Sequence, residues 1–481
     1  MQQISEDIQS LLNYAGYGEI DRLDKIPQSG SDRAYYRVYT NDNRSFIITH
    51  SHNIRENQAF IALSQHFKKT GIAVPGLLAV NANEDLYMQE DLGDTSLLQV
   101  LEAEGFTDHV YSLFRQSLQQ LATLQIKGHE GWNYDNCLTN KAFGQQAILA
   151  DLLYFKYYFL DTLKIAYDKQ KLIDEFEQLS TYLAQSDHQY FMFRDFQSRN
   201  IMIQNDQVRF IDYQGGMQGA LQYDVASLLW QAKANLPEEW KNKLLEDYIG
   251  FANELLNQEI DRERFIMQYN GYVLIRLLQV LGAYGFRGLF ERKAHFLSSI
   301  PQALQNLKWF VSHHTIGISC PIFESLLQQV VSEETLHRFL ITKASDNTPL
   351  VVNIHSFSYL KNGYPEDNSD NGGGFVFDCR GILNPGRIDE YKKQSGLDKP
   401  VKDYLEQQTL MPEFLNSIYD IVDIAVENYI QRNFAHLQVN FGCTGGQHRS
   451  VYAAEAVSRH LKNKFGVKTT IKHLNQENWV R

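Results

Sequence analysis

The sequence has few cysteines and no long apolar run. Its cysteines, Cys137, Cys320, Cys379 and Cys443, are scattered over 481 residues without a CxxC pair, which argues against a zinc site or a disulfide framework. No apolar run approaches the ~18 residues of a membrane span, and the first residues, MQQISEDIQS, lack the basic start and apolar core of a signal peptide. We therefore expect a cytoplasmic protein with no membrane partner.

Positive charge is also scarce. The chain has 45 Lys and Arg residues and 57 Asp and Glu, a net charge of -12, which argues against wholesale electrostatic binding to nucleic acid or to an anionic membrane. Residues 449–481 differ, because seven Lys and Arg against two acids give this segment a net charge of +5. The length predicts about three compact units.

The clearest chemistry lies in FMFRDFQSRNIMIQNDQVRFIDYQGG, residues 191–216. Asp195 is followed five residues later by Asn200, and alternating apolar residues then lead to a second acid, Asp212. This spacing predicts a catalytic loop, a β-hairpin and a metal-binding loop. Phosphoryl transfer needs one carboxylate at the acceptor hydroxyl, and an amide with a second carboxylate to hold Mg²⁺. The segment therefore predicts a kinase.

Two upstream stretches have the positions expected for nucleotide contacts. Gly30, Ser31, Asp32 and Arg33 lie where a kinase places its phosphate-covering loop, although an ordinary hairpin turn explains them equally well. The stretch SFIITH has no lysine where a protein kinase carries its phosphate-pairing lysine, and Arg33 or Arg37 could supply that charge instead. The hinge that would meet the adenine is predicted at Gln89, Glu90, Asp91, Leu92 and Gly93.

Four motifs carry a family resemblance. FRDFQSRN, IDYQGG, QYDVASLL and MQEDLGD resemble the aminoglycoside-phosphotransferase-like kinases, in particular the branch that phosphorylates the anomeric hydroxyl of amino sugars such as N-acetylmuramate and N-acetylglucosamine. The resemblance spans about residues 15–310. It implies that Asp195 is the catalytic base, that Asn200 and Asp212 bind Mg²⁺, and that ATP or GTP donates the phosphate. Phe193 replaces the histidine usual in that family, and Asp224 is predicted to cap or brace the helix that follows it.

A second candidate site lies at GCTGGQHRS, residues 442–450, between a predicted strand and a predicted helix. Adjacent glycines can turn backbone N–H groups inward, the helix N-terminus adds positive charge, and Arg449 is predicted as a bidentate clamp. Together these features predict a phosphate cradle. Cys443 followed by Arg449 and Ser450 also fits the loop of a cysteine-dependent phosphatase, with Asp378 as general acid.

The surrounding motifs carry a second resemblance. HSFSYLKNGYP, FVFDCRGILNP and GCTGGQHRSVYAAE resemble the C-terminal domain of RapZ-type RNase adaptor proteins over about residues 350–475, a domain that binds small regulatory RNA and senses glucosamine-6-phosphate. No GxxxxGK[ST] occurs, so that family's P-loop nucleotide-binding domain is absent. The resemblance implies a phosphosugar site formed by Cys443, Thr444, Gly445, Gly446, Gln447, His448, Arg449 and Ser450, with His355 and Arg380.

The sequence thus predicts an α+β protein with a bilobal protein-kinase-like fold at residues 1–315, divided near residue 92. A connecting helix and linker at 316–346 and a small α/β domain at 347–481 complete it. We predict a kinase for a hydroxyl of an amino sugar, fused to a domain that senses a phosphosugar or binds a small RNA. The basic segment is explained equally well as an RNA-binding face or a solvated one. Two alternatives remain: a kinase fused to a cysteine-dependent phosphatase, and a pseudokinase scaffold with an RNA-adaptor role.

Overall fold

The computed structural model describes residues 2–26, 33–187, 189–291, 294–340, 342–367, 369 and 373–480. The described chain divides into two compact units, one mainly within residues 1–337 and the other mainly within residues 338–481. All four cysteines are buried and free.

The small lobe of the first unit is a sheet covered by helices. Its elements are α1 (Gln2–Tyr14), β1 (Ile20–Ile26), β2 (Ala34–Thr40), β3 (Ser45–His50), α2 (Ile54–Thr70), β4 (Leu77–Val80) and β5 (Leu86–Glu90). The strands pair antiparallel in the order β1-β2-β3-β5-β4, and Ile8, Leu11 and Leu12 of α1 are buried in the same core. The helix α2 ends at Gly71, whose φ of 73° is the left-handed conformation that favours glycine at a C-cap.

The large lobe is mainly helical. Its helices are α3 (Leu97–Glu104), α4 (Asp108–His129), α5 (Gln145–Tyr158), α6 (Lys169–Ala184), α7 (Leu221–Leu229), α8 (Glu238–Leu256), α9 (Arg262–Tyr284), α10 (Ala294–Leu297), α11 (Ile300–His313), α12 (Pro321–Val330) and α13 (Glu333–Phe339). The helix α9 packs against α5, α7 and α11. It therefore lies in the core of this lobe.

Within the described part of the chain, one helical stretch, Arg262–Phe290, is long and apolar enough to cross a membrane by length and composition alone. More than half of its apolar window is buried inside the protein, as is common for core helices of soluble proteins. Arg276 and Gln279 interrupt its apolar residues, so the sequence contains no uninterrupted run of that length.

Two short antiparallel pairs complete the large lobe: β6 (Gln189–Met192) with β9 (Met217–Ala220), and β7 (Ile201–Gln204) with β8 (Gln207–Phe210). Asn205 and Asp206 join β7 to β8, and both have positive φ, 52° and 57°. Two successive left-handed residues are typical of the two-residue type I′ turn, whose twist matches that of the strands. The turn fixes the register in which Ile201 pairs with Phe210.

The predicted connecting helix is two helices, α12 and α13, and α12 packs within the first unit. Glu175 of α6 accepts hydrogen bonds from the backbone N–H groups of Ile322 (3.0 Å) and Phe323 (2.7 Å) at the start of α12. The Phe323 ring packs edge-on against Phe176. Ser332 interrupts the helical pattern because its hydroxyl accepts a hydrogen bond from the N–H of Thr335 in α13.

The second unit is a parallel sheet with helices. Its elements are β10 (Val351–Ser358), β11 (Gly374–Asp378), α14 (Lys399–Gln407), α15 (Met411–Gln431), β12 (His436–Cys443), α16 (Arg449–Phe465) and β13 (Lys468–His473). The strands follow the order β11-β12-β10-β13 and are all parallel. Their carboxyl ends therefore share one edge of the sheet. The predicted α/β character of this unit is confirmed.

Candidate functional site

The β7–β8 hairpin brings the three residues of the predicted catalytic segment together. Because Ile201 pairs with Phe210, the flanking residues Asn200 and Ile211 also meet, and the Ile211 N–H donates to the Asn200 carbonyl at 3.0 Å. Asp212 therefore follows immediately beside Asn200. The Asn200 side-chain amide donates to the backbone carbonyl of Asp195 at 2.9 Å, which ties the catalytic loop to the same end of the hairpin.

The two acids of this segment are accessible. The side chains of Asp195 and Asp212 are 49% and 37% exposed, whereas Asn200 is buried. Asp212 and Arg194 have positive φ, 70° and 78°, a conformation that costs a non-glycine residue about 1 kcal/mol or more. The surrounding packing therefore holds the segment in a shape that an isolated chain would seldom adopt.

Buried aromatic rings pack together within the segment that contains Asp195. Phe193, Phe196 and Phe210 are fully buried, and the Phe196 ring stands edge-on to the other two at 5.3 and 5.0 Å between centroids. Edge-to-face pairs contribute about 0.5–1.5 kcal/mol beyond area burial. Phe193 therefore serves as a packing residue of the loop.

Asp224 of α7 fixes the backbone of the catalytic loop. Its buried carboxylate accepts hydrogen bonds from the N–H groups of Phe193 (2.7 Å) and Arg194 (2.9 Å) and from the Gln125 side chain (3.1 Å). Burial raises the pKa of Asp224 to about 7, against the opposing effect of these donors. Asp224 lies in the first turn of α7, as a carboxylate near the helix N-terminus was predicted to do, but the N-cap is Ala220. The predicted capping role is therefore wrong, because the carboxylate holds the two residues before Asp195.

Two arginines lie behind Asp195. Arg194 donates two hydrogen bonds of 2.9 Å to the carboxylate of Asp151 and one of 2.7 Å to the Tyr223 hydroxyl. Arg276 of α9 places Nη2 3.8 Å from Asp195 Oδ1. Two cations thus lie close to the carboxylate that is predicted to act as the base.

The small lobe contributes one arginine to the site. Arg33 Nη2 lies 2.9 Å from Asp212 Oδ1, and Arg33 Nε lies 3.4 Å from Glu56 Oε1 in α2. The Gln214 side-chain amide also donates to Asp212 Oδ1 at 3.0 Å. Arg33 is thus the described member of the predicted phosphate-covering loop. Gly30, Ser31 and Asp32 lie outside the described residues.

The predicted hinge begins in the last two residues of β5, and Arg37 of β2 contacts it. Arg37 contacts the carboxylates of Asp91 (2.9 Å) and Asp94 (2.6 Å). The carboxylate of Glu90 accepts from the Gly76 N–H (3.2 Å) and from Arg209 (2.7 Å). Gln89 Oε1 is buried without a hydrogen-bond partner in the described structure. Arg37 is therefore a brace of the hinge, whereas Arg33 reaches the predicted metal ligand.

The donor atoms present fit a magnesium ion. Asn200 Oδ1 and Asp212 Oδ2 accept no hydrogen bond from any described residue, and carboxylate and amide oxygens are the ligands that Mg²⁺ prefers. No group of three or more His, Cys, Asp or Glu in the described chain is arranged to hold a metal. Such a pair suits an ion that takes its other ligands from phosphates and water.

In the second unit, the backbone carbonyl groups of the loop after β12 accept hydrogen bonds from residues outside the loop. The carbonyl oxygens of residues 444–447 accept, in order, from the Ser358 hydroxyl (2.7 Å), the Asn475 amide (2.7 Å), the Trp479 indole (2.8 Å) and the Gly396 N–H (2.9 Å). The N–H groups of Arg449 and Ser450, in the first turn of α16, donate to no described residue. This arrangement is compatible with the predicted anion cradle.

The side chains of this loop are turned inward. Cys443 Sγ lies 3.1 Å from the Ser450 hydroxyl and accepts from the Gly446 N–H at 3.2 Å. Arg449 Nη1 donates to the carbonyl oxygens of Ile382 (2.7 Å) and Arg380 (3.2 Å). Arg449 Nε is buried without a hydrogen-bond partner in the described structure, so a contact of Nε with an anion would leave the two carbonyl contacts of Nη1 in place. His448 Nε2 bonds to the Tyr391 carbonyl at 3.0 Å, and burial lowers its pKa.

The strand register separates the two other predicted ligands. Gly442 pairs with Asp378, so Arg380 lies near the loop, and its guanidinium packs 4.0 Å from the centre of the Tyr359 ring. His355 pairs with Asn440, three residues before Cys443, and its Nδ1 bonds to Asn440 Oδ1 at 2.9 Å. The structure therefore brings Arg380, and not His355, to the loop end of the sheet.

The basic segment at 449–481 is partly neutralised. Asp423 of α15 pairs with both His460 (2.8 Å) and Lys464 (2.6 Å), and Glu455 lies 3.3 Å from His473. Burial lowers the pKa of His473. These contacts reduce the positive charge available to a nucleic acid.

Residues 24–265 match the family model described as the phosphotransferase enzyme family, and this match covers half of the chain. The chain belongs to the phosphotransferase enzyme family. The prediction of a kinase-like phosphotransferase is thereby confirmed at the level of family and fold. Residues 350–477 match the model of the RapZ C-terminal domain, so the second predicted resemblance is also confirmed.

Several known proteins are similar to this phosphotransferase-family chain. A nucleotide-binding protein of Fervidobacterium nodosum is 33% identical over 190 residues, which are 39% of this chain and 64% of that protein. One of Clostridium botulinum is 39% identical over 124 residues, 26% of this chain and 40% of the relative. The chain thus spans less than two thirds of the length of these curated relatives.

Among solved structures, an amicoumacin kinase in complex with AMP-PNP, Ca²⁺ and Ami has 12% identity and a TM-score of 0.48, covering 66% of this chain and 96% of that one. A choline/ethanolamine kinase family protein from Mesorhizobium loti has 12% identity and a TM-score of 0.45, covering 68% and 99%. Family membership follows from the sequence match.

Sequence reasoning missed three residues of the phosphotransferase site. Asp224, Glu56 and Arg276 lie on three different helices, and each meets the site only through the tertiary fold. Asp224 had one detectable signal, since an acid inside an otherwise buried segment, YDVASLL, requires hydrogen-bond donors. Glu56 and Arg276 had none.

Proposed function

We propose that the first unit is a kinase that transfers a phosphoryl group from ATP or GTP to a hydroxyl, most simply the anomeric one, of an amino sugar. One observation carries the proposal. A two-residue turn and a four-residue strand pair set Asn200 and Asp212 side by side, with Asp195 hydrogen-bonded to the same end of the hairpin, in a chain of the phosphotransferase enzyme family.

Each residue has a role that its environment supports. Asp195 is half-exposed and faces Arg276, so its carboxylate can orient the acceptor hydroxyl and take its proton as the bond to phosphorus forms. Asn200 Oδ1 and Asp212 Oδ2 would hold Mg²⁺. When bound, that ion would neutralise charge on the phosphate oxygens. Asp224 holds the backbone of the loop so that Asp195 keeps its position.

The nucleotide base is assigned to the hinge at residues 89–93. Glu90 and Asp91 are fixed there by Arg209 and Arg37, which keeps the backbone of this short stretch in one position. Nucleotide binding is not carried over to the second unit from the relatives described as nucleotide-binding proteins, because this chain has no GxxxxGK[ST]. The four free cysteines favour a reducing compartment, and we place the protein in the cytoplasm.

The amino sugar is inferred from sequence resemblance and from the fused domain. FRDFQSRN and IDYQGG resemble the kinases that act on N-acetylmuramate and N-acetylglucosamine. The second unit matches a domain whose family senses a phosphorylated amino sugar. A chain that makes a sugar phosphate and also binds one is chemically coherent, and such binding would allow feedback on the kinase.

For the second unit we propose phosphosugar binding through backbone N–H groups of the 443–450 loop. The four fixed carbonyl groups and the first turn of α16 support it. A phosphatase is less well supported, because Arg380 lowers the pKa of Asp378, which as a general acid would need to keep its proton. RNA binding stays a prediction; salt-dependent retention of RNA in filter binding would support it, and salt-independent or absent retention would remove it.

A substrate panel tests the kinase proposal. Free hexosamines, N-acetylhexosamines and N-acetylmuramate are incubated with Mg²⁺ and either ATP or GTP, and the phosphorylated position is read by NMR. We expect turnover with at least one amino sugar and phosphate on its anomeric oxygen. Absence of turnover on every amino sugar, with activity on choline or an aminoglycoside instead, would overturn the substrate assignment while leaving the kinase class intact.

A further inference from the structure

The strand β3 lacks the cation that a kinase of this shape uses on its nucleotide. Its residues, Ser45–His50, include no lysine, yet a lysine on the third strand pairs with the phosphates in protein kinases. Thr49 of β3 is fully buried. A phosphate-binding charge, if the site has one, must therefore come from another element.

Arg33 lies beside this strand. Both Arg33 and Thr49 interact with the buried hydroxyl of Tyr87, where they oppose the effect of burial on its pKa. The Arg33 side chain is only 8% exposed. The guanidinium therefore lies close to the place that a lysine at position 49 would fill.

The partners of Arg33 match those that a phosphate-pairing cation requires. Nε faces Glu56 of α2 at 3.4 Å, and Nη2 faces the predicted metal ligand Asp212 at 2.9 Å. Glu56 is itself 17% exposed and receives the Gln214 amide at 3.4 Å. A helix carboxylate thus orients the cation, and the second acid holds it at the site where phosphates and metal would arrive.

Other nearby cations are committed elsewhere. Arg37 braces the hinge through Asp91 and Asp94, and Arg209 pairs with Glu90. Among the described residues, Arg33 is the cation that forms an ion pair with Asp212.

We propose that Arg33 replaces the missing strand lysine: it binds the phosphates of the donor nucleotide, with Glu56 orienting it. This inference rests on the proposed kinase function and deepens it. When the nucleotide binds, Arg33 turns its donors from Asp212 Oδ1 to the phosphate oxygens, and Asp212 would hold the metal through Oδ2. A guanidinium suits this exchange because its planar set of N–H donors can keep Glu56 while contacting phosphate.

The test removes the positive charge at position 33 and places one at position 49 in β3. Affinity for the Mg²⁺ complex of a non-hydrolysable ATP analogue is measured by calorimetry, and turnover separately, for wild type, Arg33→Ala, and Arg33→Ala combined with Thr49→Lys. We expect Arg33→Ala to weaken binding about 10- to 100-fold, the usual effect of losing a hydrogen bond to a charged group. The lysine at position 49 should recover about tenfold of that loss. Arg22→Ala, which removes an exposed arginine of β1 that pairs with Asp24, is the matched control and should not change binding.

The outcomes separate the two claims. If wild type binds the analogue and Arg33→Ala binds it equally well, the role of Arg33 is overturned and the kinase proposal stands. If wild type itself binds no nucleotide, the kinase proposal fails. Should Arg33→Ala not fold, as judged by circular dichroism, Arg33→Lys is compared with Arg33→Gln. Tighter binding by the lysine variant supports the inference, and equal binding overturns it.

Discussion

At the catalytic segment, Asp195 and Asp212 leave 49% and 37% of their side chains exposed, whereas at the 443–450 loop Cys443, His448 and Arg449 are each less than a tenth exposed. In the first region, the carboxylate oxygens of these two acids are accessible to a ligand. In the second region these side chains are engaged within the protein, with the Ser450 hydroxyl and with the carbonyl groups of Tyr391 and Ile382.

This difference teaches how each region can recognise a phosphate. Exposed acids need a cation between themselves and a phosphate, so the proposed phosphate site of the first region would need a metal and an arginine. A backbone whose carbonyl groups are already bonded leaves N–H groups to meet an anion directly. The first region is therefore suited to chemistry, and the second to binding. Substitutions should affect turnover in the first and mainly ligand affinity in the second.

Asp195→Asn tests the chemical side of this contrast most strongly. We expect kcat to fall about 10²- to 10⁴-fold, because the amide cannot take the acceptor proton, while nucleotide affinity stays unchanged. Steady-state kinetics and calorimetry give the two quantities. Asp206→Asn, in the exposed turn between β7 and β8, is the control. Near-normal turnover of Asp195→Asn would remove the assignment of the base.

Asp212→Asn should change the dependence on metal more than the maximal rate. Losing one carboxylate ligand should raise the Mg²⁺ concentration needed for half-maximal activity at least about tenfold. A titration of activity against Mg²⁺ measures this. Asp94→Asn, whose exposed carboxylate pairs only with Arg37 among the described residues, should leave the midpoint in place. An unshifted midpoint in Asp212→Asn would mean that the metal is held elsewhere.

Asp224→Asn should cost stability as well as turnover. The Asn amide would place its N–H₂ group against an N–H donor of Phe193, Arg194 or Gln125, so at least one hydrogen bond is lost. We expect the free energy of unfolding to fall by about 1–3 kcal/mol. Urea unfolding measures it. Leu221 and Gln222 precede Asp224 in α7, and Gln222→Asn offers a conservative comparison at a buried amide of the same helix.

The same residue predicts a pH dependence. Because burial raises the pKa of Asp224 to about 7, the folded state holds more protons than the unfolded state between about pH 4 and 7. Stability should therefore fall as pH rises through that window, by at most about 1.4 kcal/mol per pH unit from this group. Asp224→Asn should flatten that slope; an identical slope in the variant would assign it to other groups.

The smallest effect is expected for Cys443→Ser. A hydroxyl can keep the contacts with Ser450 and the Gly446 N–H, so the free energy of unfolding should change by less than about 1.5 kcal/mol. Neither wild type nor variant should hydrolyse an aryl phosphate. Hydrolysis by wild type that the serine variant abolishes would reverse the contrast and make the second region catalytic.

The sequence predicted what local spacing determines. Asp195, Asn200 and Asp212 belong to one loop–hairpin–loop segment, so alternation and a turn were sufficient to bring them together. The strand–loop–helix around Cys443 follows from equally local rules. The predicted helix-cap role of Asp224 was wrong because residue spacing does not show which way a buried carboxylate points.

Partners from distant elements could not be predicted. The ion pair of Arg33 with Asp212 joins residues 179 positions apart, and no pattern in either stretch specifies the other. Likewise, the inward orientation of Arg449 depends on the carbonyl groups that end the 379–382 turn. These contacts are decided by packing and by the need of buried charges for partners.

The turn of Asn205 and Asp206 has a consequence for variation in this molecule. Either side chain can be exchanged for glycine without moving the strands, since only the backbone conformation matters there. Adding or deleting a single residue is different: a slip of one position rotates every following side chain to the opposite surface of the ribbon. Asp212 would then face away from Asn200. A change in length at the 205–206 turn would therefore disable the proposed metal site as thoroughly as removing Asp212.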